Sequence, residues 1–274
     1  MICDNFDKNV KIVIDIAEMY KLRPGWRSSA DSTPHESTAN DPEAGYSGHY
    51  EINGYKEHRL ICVDTKIPLA YKVTKANEYD GNHIQELIET AEKANAPIAE
   101  LWIDQHYTSL ENLSYYELES KIKAHYRITK DWKLDESITE DEINRMYQKL
   151  WKHEDFLLKD DEECTLEFQL KFIWNKSKTD SHRKSVGQFI RNKAQREYID
   201  APKQYLAKQG VRSRIEGDFG VIKLFSILKL VTMRKMTSWK ALISLRNFID
   251  LIVALFRMDI GQKTNITSWK GIVA

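Results

Sequence analysis

HRLICVDTKIPLAYKV, His58 to Val73, is the stretch that decides the fold class. His58 to Val63 is a short apolar run, and Asp64-Thr-Lys-Ile-Pro68 has the residues of a hairpin connection. Leu69, Tyr71 and Val73 then recur every second position, the period of a strand with one buried face. Two strands joined by a turn are predicted here.

The pattern changes on the C-terminal side. Asp80 is placed to cap a helix in which Ile84, Leu87, Ile88 and Ala91 fall at i, i+3, i+4 and i+7. Pro97 closes that segment, and IAELWID (98–104) reads as a third strand ending in an acid. SLENLSYYELES (109–120) reads as a helix, and Ile122, Ala124, Tyr126 and Ile128 alternate as a further strand. Hairpin, helix, strand, helix, strand is the order of an α/β fold with a mixed sheet. On the N-terminal side, residues 6–22 predict an amphipathic helix carrying Phe6, Val10, Val13, Ala17 and Tyr20. LRPGW breaks it, and the Ser-, Thr-, Gly- and Pro-rich run from Ser28 to Lys56 reads mostly as loop.

Beyond the last predicted strand, residues 131–205 form a long, mainly helical segment with Trp132, Trp151 and Trp174, which are expected to pack in its own small core. RSRIEGDFGVIK (212–223) follows. As a helix it sets Arg212, Glu216 and Lys223 close together, with Ile215, Phe219 and Ile222 on a separate apolar stripe. Taken alone this is a salt-bridged surface helix. Gly217 and Gly220 argue otherwise, since each costs roughly 1 kcal/mol relative to Ala inside a helix. A final amphipathic helix, 238–257, is expected to pack through Leu242, Leu245, Ile249, Ile252 and Phe256.

Charge and cysteine content narrow the function class. The chain has 274 residues and a net charge of zero, but the charge is not evenly spread. Residues 131–163 carry twelve Asp and Glu against five Lys and Arg, a net of −7, whereas residues 171–270 carry seven against twenty-one, a net of +14. That basic half suits a polyanion, because phosphate neutralisation dominates nucleic-acid affinity. Cys3, Cys62 and Cys164 show no paired spacing, which argues against a disulfide framework or a zinc knuckle and suits a reducing cytosol. The start MICDNFDKNVK lacks the apolar run of a signal peptide. LIVALF (251–256) is too short to span a bilayer, so no membrane partner is expected.

Asp104 lies at the C-terminal end of a predicted strand, where open α/β sheets place ligands. Several carboxylates gathered at one rim repel one another and persist only if cations neutralise them. Oxygen donors without His or Cys select a hard ion, Mg²⁺ or Mn²⁺.

Three blocks resemble the DDE transposases of insertion sequences, of the IS-four type. Residues 41–81 resemble that family's glycine-tyrosine-lysine hairpin with its Asn…Asp follow-on. LWIDQHYTSLENL (101–113) is similar to the block that holds the second catalytic Asp, and residues 212–223 to the Tyr-x2-Arg-x3-Glu-x6-Lys signature, with Gln209 at the Tyr position. The resemblance implies a ribonuclease-H-like mixed sheet flanked by helices, with a mainly helical insertion ahead of the last catalytic helix. It implies Asp104 and Glu216 as the second and third acids and, through ADSTPHE, Asp31 as the first. Asp15 is the fallback, and Asp64 better fits a turn.

The same resemblance implies that two Mg²⁺ or Mn²⁺ ions are held by Asp31, Asp104 and Glu216. Arg212, Arg214 and Lys223 would then contact DNA, namely terminal inverted repeats and target DNA, in a homodimeric synaptic complex. A prokaryotic cytoplasm is the expected location, at the nucleoid when DNA is bound. The expected organisation is a residual N-terminal helix and linker at 1–30 and the first part of the core at 31–130. An insertion follows at 131–205, then C-terminal helices at 206–260 and a tail at 261–274. Because only about one helix precedes Asp31, an alternative is a truncated remnant that binds DNA without cutting it. A metal-dependent nuclease that does not transpose is a third reading.

Overall fold

The polar run after Trp26 is a central strand rather than a loop. A computed structural model describes residues 5–38, 40–120, 122–126, 139, 141, 145, 180–212, 233–264 and 266–268. In chain order its elements are α1 (Phe6–Met19), β1 (Arg27–Glu36), β2 (Gly45–Ser47), β3 (Ile52–Cys62), β4 (Pro68–Lys75), α2 (Ile84–Lys93) and β5 (Glu100–Ile103). They continue with α3 (Leu110–Ser114), β6 (Lys123–Tyr126), α4 (Asp180–Asp200), α5 (Pro202–Gln209) and α6 (Met236–Asp259). Two compact units emerge: Met1–Trp102 with Val211–Ala274, and Ile103–Gly210.

In the first unit β1 lies between β3, antiparallel, and β5, parallel, so the sheet is mixed. Burying serines in a central strand is costly unless each hydroxyl finds a partner. Ser28 Oγ donates to Gly25 O and Ser29 Oγ to Trp102 O, both at 2.8 Å. Pro34, which has no N–H, falls beyond the three-residue pairing with β5. These local solutions let the sequence from Arg27 to Glu36 pair although its composition reads as loop. On the far edge of β3, β2 pairs with its start and β4 with the remainder. Gly54 is required at that start, because a Cβ there would lie 2.0 Å from His35 O.

The predicted hairpin forms, with β3 and β4 paired antiparallel and a turn between Cys62 and Pro68. Each face of this sheet carries a helix. His58 and Lys72 are cross-strand partners on one face. The His58 ring lies 4.6 Å from that of His83, which precedes α2, and Lys72 pairs with Glu86 of α2. Ile84, Leu87, Ile88 and Ala91 of α2 are buried as the periodicity predicts. Each such aliphatic side chain contributes roughly 1.5–3 kcal/mol by leaving water. Asp80 does not cap α2: it opens a short 3₁₀ turn, Asp80–Asn82, and its carboxylate points to Lys56 and Ser32.

The opposite face meets α6. Trp239 and Ile243 pack with Tyr55 and Val73, and Trp239 stacks on His35 at 5.2 Å between ring centroids. The seam expected from sequence faces inward only in part: Leu242 packs against this cluster and Ile249 is half-buried. Leu245, Ile252 and Phe256 are 42, 48 and 52% exposed, while Ser244, Arg246, Asn247, Asp250 and Leu251 are buried. The reason lies in β3, whose Glu57 and Arg59 occupy the buried face and require charged partners from the helix. Arg246 donates to both oxygens of Glu57 at 3.4 and 3.1 Å and to Asp250 at 3.3 Å. Arg59 donates to Asp250 at 2.5 Å, and Asn247 Nδ2 donates to Glu57 at 3.1 Å.

The N-terminus of α6 is seated from outside the helix. Asp41 accepts the Lys235 N–H at 2.9 Å, the Ser37 hydroxyl at 2.7 Å and the Tyr55 hydroxyl at 2.9 Å, while Glu43 accepts the Met236 N–H at 3.0 Å. Acceptors at this end satisfy donors that have no intrahelical partner. Burial pushes the Asp41 carboxyl up, but these hydrogen bonds outweigh it and bring the pKa to about 2.

In the second unit, α3 continues into a π-helical turn, Tyr115–Glu119, so the helix expected over 109–120 is present in two pieces. Gly187 of α4 sits against α3, where a Cβ would meet Leu110 O at 2.3 Å. Tyr205 of α5 donates to Tyr126 O at 2.7 Å and ties that helix to β6. A cavity of about 230 Å³ in this unit is lined by Lys123, Lys193, Lys208, Glu197, Tyr126 and Tyr205, among others. Trp132, Trp151 and Trp174 lie outside the described residues. No described helix is long and apolar enough to cross a membrane.

The buried histidine of β3 makes the first unit sensitive to acid. Burial is the largest cause holding His58 down at about 3; Asp80 acts in the other direction, and His83, Lys56 and Lys72 reinforce the burial. Folded His58 therefore stays neutral where the unfolded chain takes up a proton. The stability it contributes is complete above about pH 6.5 and falls as the pH drops toward 3. Denaturant midpoints are expected to fall between pH 6.5 and 5, before Glu57 and Asp41 begin to protonate in the unfolded chain. His58→Gln should flatten that fall, and equal slopes in the two proteins would contradict the assignment.

Candidate active site

Asp31 lies midway along β1, half-buried, directly opposite Arg59 in the β1–β3 register. Its Oδ1 accepts the N–H of Ser32 at 2.8 Å. Asp104 is the first residue after β5, with an extended backbone (φ −80°, ψ 165°), and its Oδ1 accepts the N–H of Gln105 at 2.6 Å. The two acids thus share a local device: each carboxylate is oriented by the amide that follows it. A carboxylate offers about four lone-pair sites, so a contact of this kind does not exclude ligation of a cation. Both are oxygen donors, which fits Mg²⁺ or Mn²⁺.

Asp31 belongs to the first unit and Asp104 to the second. Arg214, Glu216 and Lys223 lie outside the described residues, and Arg212 ends a 3₁₀ turn, Gly210–Arg212. No group of three His, Cys, Asp or Glu suited to a metal ion occurs among the described residues. Asp15 sits on the solvent side of α1 in a surface pair with Lys11 at 2.9 Å, and Asp64 lies in the turn after β3, 3.0 Å from Arg27. A surface i,i+4 pair of this kind needs no further role.

Sequence reasoning missed the residues around Asp31. On its own face stand Arg59 and Glu57 of β3, held by Arg246 and Asp250 of α6. Burial pushes the Glu57 carboxyl up. Arg246, the His35 ring 3.6 Å away and Arg59 together outweigh it, and the pKa falls to about 2. On the other face, Ser32 donates to Asp80 at 2.8 Å, and Asp80 also accepts from Lys56 at 2.7 Å. Alternation in the segment Lys56-Glu57-His58-Arg59 was the available signal, since it puts Glu57 and Arg59 on one side and Lys56 and His58 on the other.

No curated protein and no solved structure matches the chain. The sequence model of the family described as Transposase DDE domain matches residues 25–245, a span that includes the candidate acids Asp31, Asp104 and Glu216 and most of both units. The mixed sheet flanked by helices agrees with the ribonuclease-H-like architecture that the resemblance implied. The chain belongs to the family of transposases with a DDE domain.

Proposed function

We propose that this transposase binds the terminal inverted repeats of an insertion sequence and carries out divalent-metal-dependent strand cleavage and strand transfer, with Asp31, Asp104 and Glu216 as the metal-holding acids. What supports the reading is the match of the Transposase DDE domain model to residues 25–245, a span that contains Asp31, Asp104 and Glu216 in that order.

Mg²⁺ or Mn²⁺, when bound, supplies Lewis-acid stabilisation of charge on the phosphoryl oxygens and a lowered pKa for the attacking hydroxyl. The protein's part is positional. The amides of Ser32 and Gln105 orient the two aspartates, and Arg212, Arg214 and Lys223 would take backbone phosphates. In the cleavage step water forms the new P–O bond and the P–O3′ bond breaks, freeing a 3′-hydroxyl; in strand transfer that 3′-hydroxyl attacks a target phosphate and the target's 3′-oxygen leaves, each by in-line displacement at phosphorus.

The test is a plasmid carrying the repeats that flank the protein's own gene, incubated with the purified chain and Mg²⁺. Nicks at the repeat ends that are absent in EDTA support the proposal. Binding of the same DNA with no Mg²⁺-dependent cutting would leave a DNA-binding remnant instead.

A further inference from the structure

We infer that Asp80, held by Lys56, is a positioning residue for Asp31 and acts through Ser32; this rests on the assignment of Asp31 as a metal-holding acid. The connection is a continuous run of short hydrogen bonds. Lys56 Nζ donates to Asp80 Oδ1 at 2.7 Å and to Glu78 O at 3.0 Å, which leaves the lysine little freedom. Asp80 Oδ2 accepts the Ser32 hydroxyl at 2.8 Å, and the Ser32 N–H is donated to Asp31 Oδ1 at 2.8 Å.

Ser32 and Asp31 are neighbours in a strand, so their side chains leave on opposite faces. Asp80 therefore grips the strand from the side away from the Asp31 carboxylate, and its influence passes through the backbone of residue 32. Lys56 and Asp80 are only 6 and 7% exposed. A buried ion pair is weak evidence for stability, because desolvation consumes most of its attraction. What this pair adds is a fixed height for Ser32. Partners behind a metal ligand characteristically change metal affinity 10–100-fold when removed.

The experiment is a Mn²⁺ titration of the full chain followed by EPR, with thermal melting alongside. The proteins are wild type, Asp31→Asn, Ser32→Ala, Ser32→Thr and Asp80→Asn. Asp31→Asn should abolish the tight binding. Ser32→Ala and Asp80→Asn should each weaken it about 10–100-fold. Ser32→Thr, which keeps the hydroxyl, should restore it, and Ser32→Ala should melt near the wild-type temperature. Ser32→Ala removes one hydroxyl and spares the ion pair, so it keeps the test decisive if Asp80→Asn fails to fold. Wild-type affinity in Ser32→Ala, or a loss that Ser32→Thr leaves in place, overturns the inference while Asp31 stands. Unchanged affinity in Asp31→Asn removes the site assignment, and the inference with it.

Discussion

Asp104→Asn is expected to lower Mg²⁺-dependent cleavage of the element ends by about a thousandfold while leaving DNA binding within a few-fold of wild type. Charge stabilisation at phosphorus by a bound divalent ion contributes several kcal/mol, and about 4 kcal/mol corresponds to that factor. The substitution keeps the shape of the side chain, and the amide oxygen can still accept the Gln105 N–H that Asp104 now accepts at 2.6 Å. What it removes is the negative charge. Asp31→Asn and Glu216→Gln should behave alike, and the losses should not add, since residues that act as a unit are grossly non-additive. Rates of nicking at saturating protein, measured beside gel-shift affinities, separate the two effects. Cleavage that survives Asp104→Asn at more than a tenth of the wild-type rate would remove Asp104 from the reaction.

The second large effect concerns the fold. Arg246→Met should destabilise the first unit by about 3–5 kcal/mol, the usual consequence of leaving a buried charge without its partner. Arg246 touches both Glu57 and Asp250, and Glu57 has no exposed surface. The pKa of Glu57, about 2 with Arg246 in place, should rise steeply once the guanidinium is gone and burial acts with less opposition. Glu57 has a depressed folded pKa, so the stability it contributes is present above about 4.5 and fades as pH falls toward 2. In Arg246→Met that dependence should invert, with the variant relatively less unstable at pH 4 than at pH 7, because a protonated Glu57 tolerates burial. Adding Glu57→Gln to Arg246→Met should recover part of the loss. Chemical denaturation at the two pH values checks all three statements. A loss under 1 kcal/mol at pH 7 would mean that the network is not what seats α6 on β3.

How much of this was legible beforehand depended on whether hydrophobic period and burial coincide. In α1 and α2 they do: Phe6, Val10, Val13 and Ala17 are buried, as are Ile84, Leu87, Ile88 and Ala91. The β3–β4 hairpin and the strand before Asp104 were readable for the same reason. Periodicity failed where polar groups go inside. β1 is a central strand because its serine hydroxyls find carbonyl partners, and composition carries no trace of those partners. In α6 three of the five residues of the expected seam, Leu245, Ile252 and Phe256, face outward, and the inward stripe holds Arg246, Asn247 and Asp250. Only pairing with Glu57 and Arg59, nearly two hundred residues away in the chain, makes that arrangement favourable. The three acids are assigned by resemblance alone, whereas the lysine, aspartate and serine behind Asp31 were visible only in three dimensions.

The measurement that bears most directly on the central claim is affinity cleavage with Fe²⁺ in place of Mg²⁺. Ascorbate and peroxide generate hydroxyl radicals at the bound ion, and these cut the backbone nearby. The account predicts three clusters of cuts that Mg²⁺ suppresses by competition: in β1 around Asp31, just after β5 around Asp104, and around Glu216. Asp31→Asn should remove all three together. Cuts confined to one of these segments, or a pattern unchanged in Asp31→Asn, would contradict a shared ion held by acids from three separate parts of the chain.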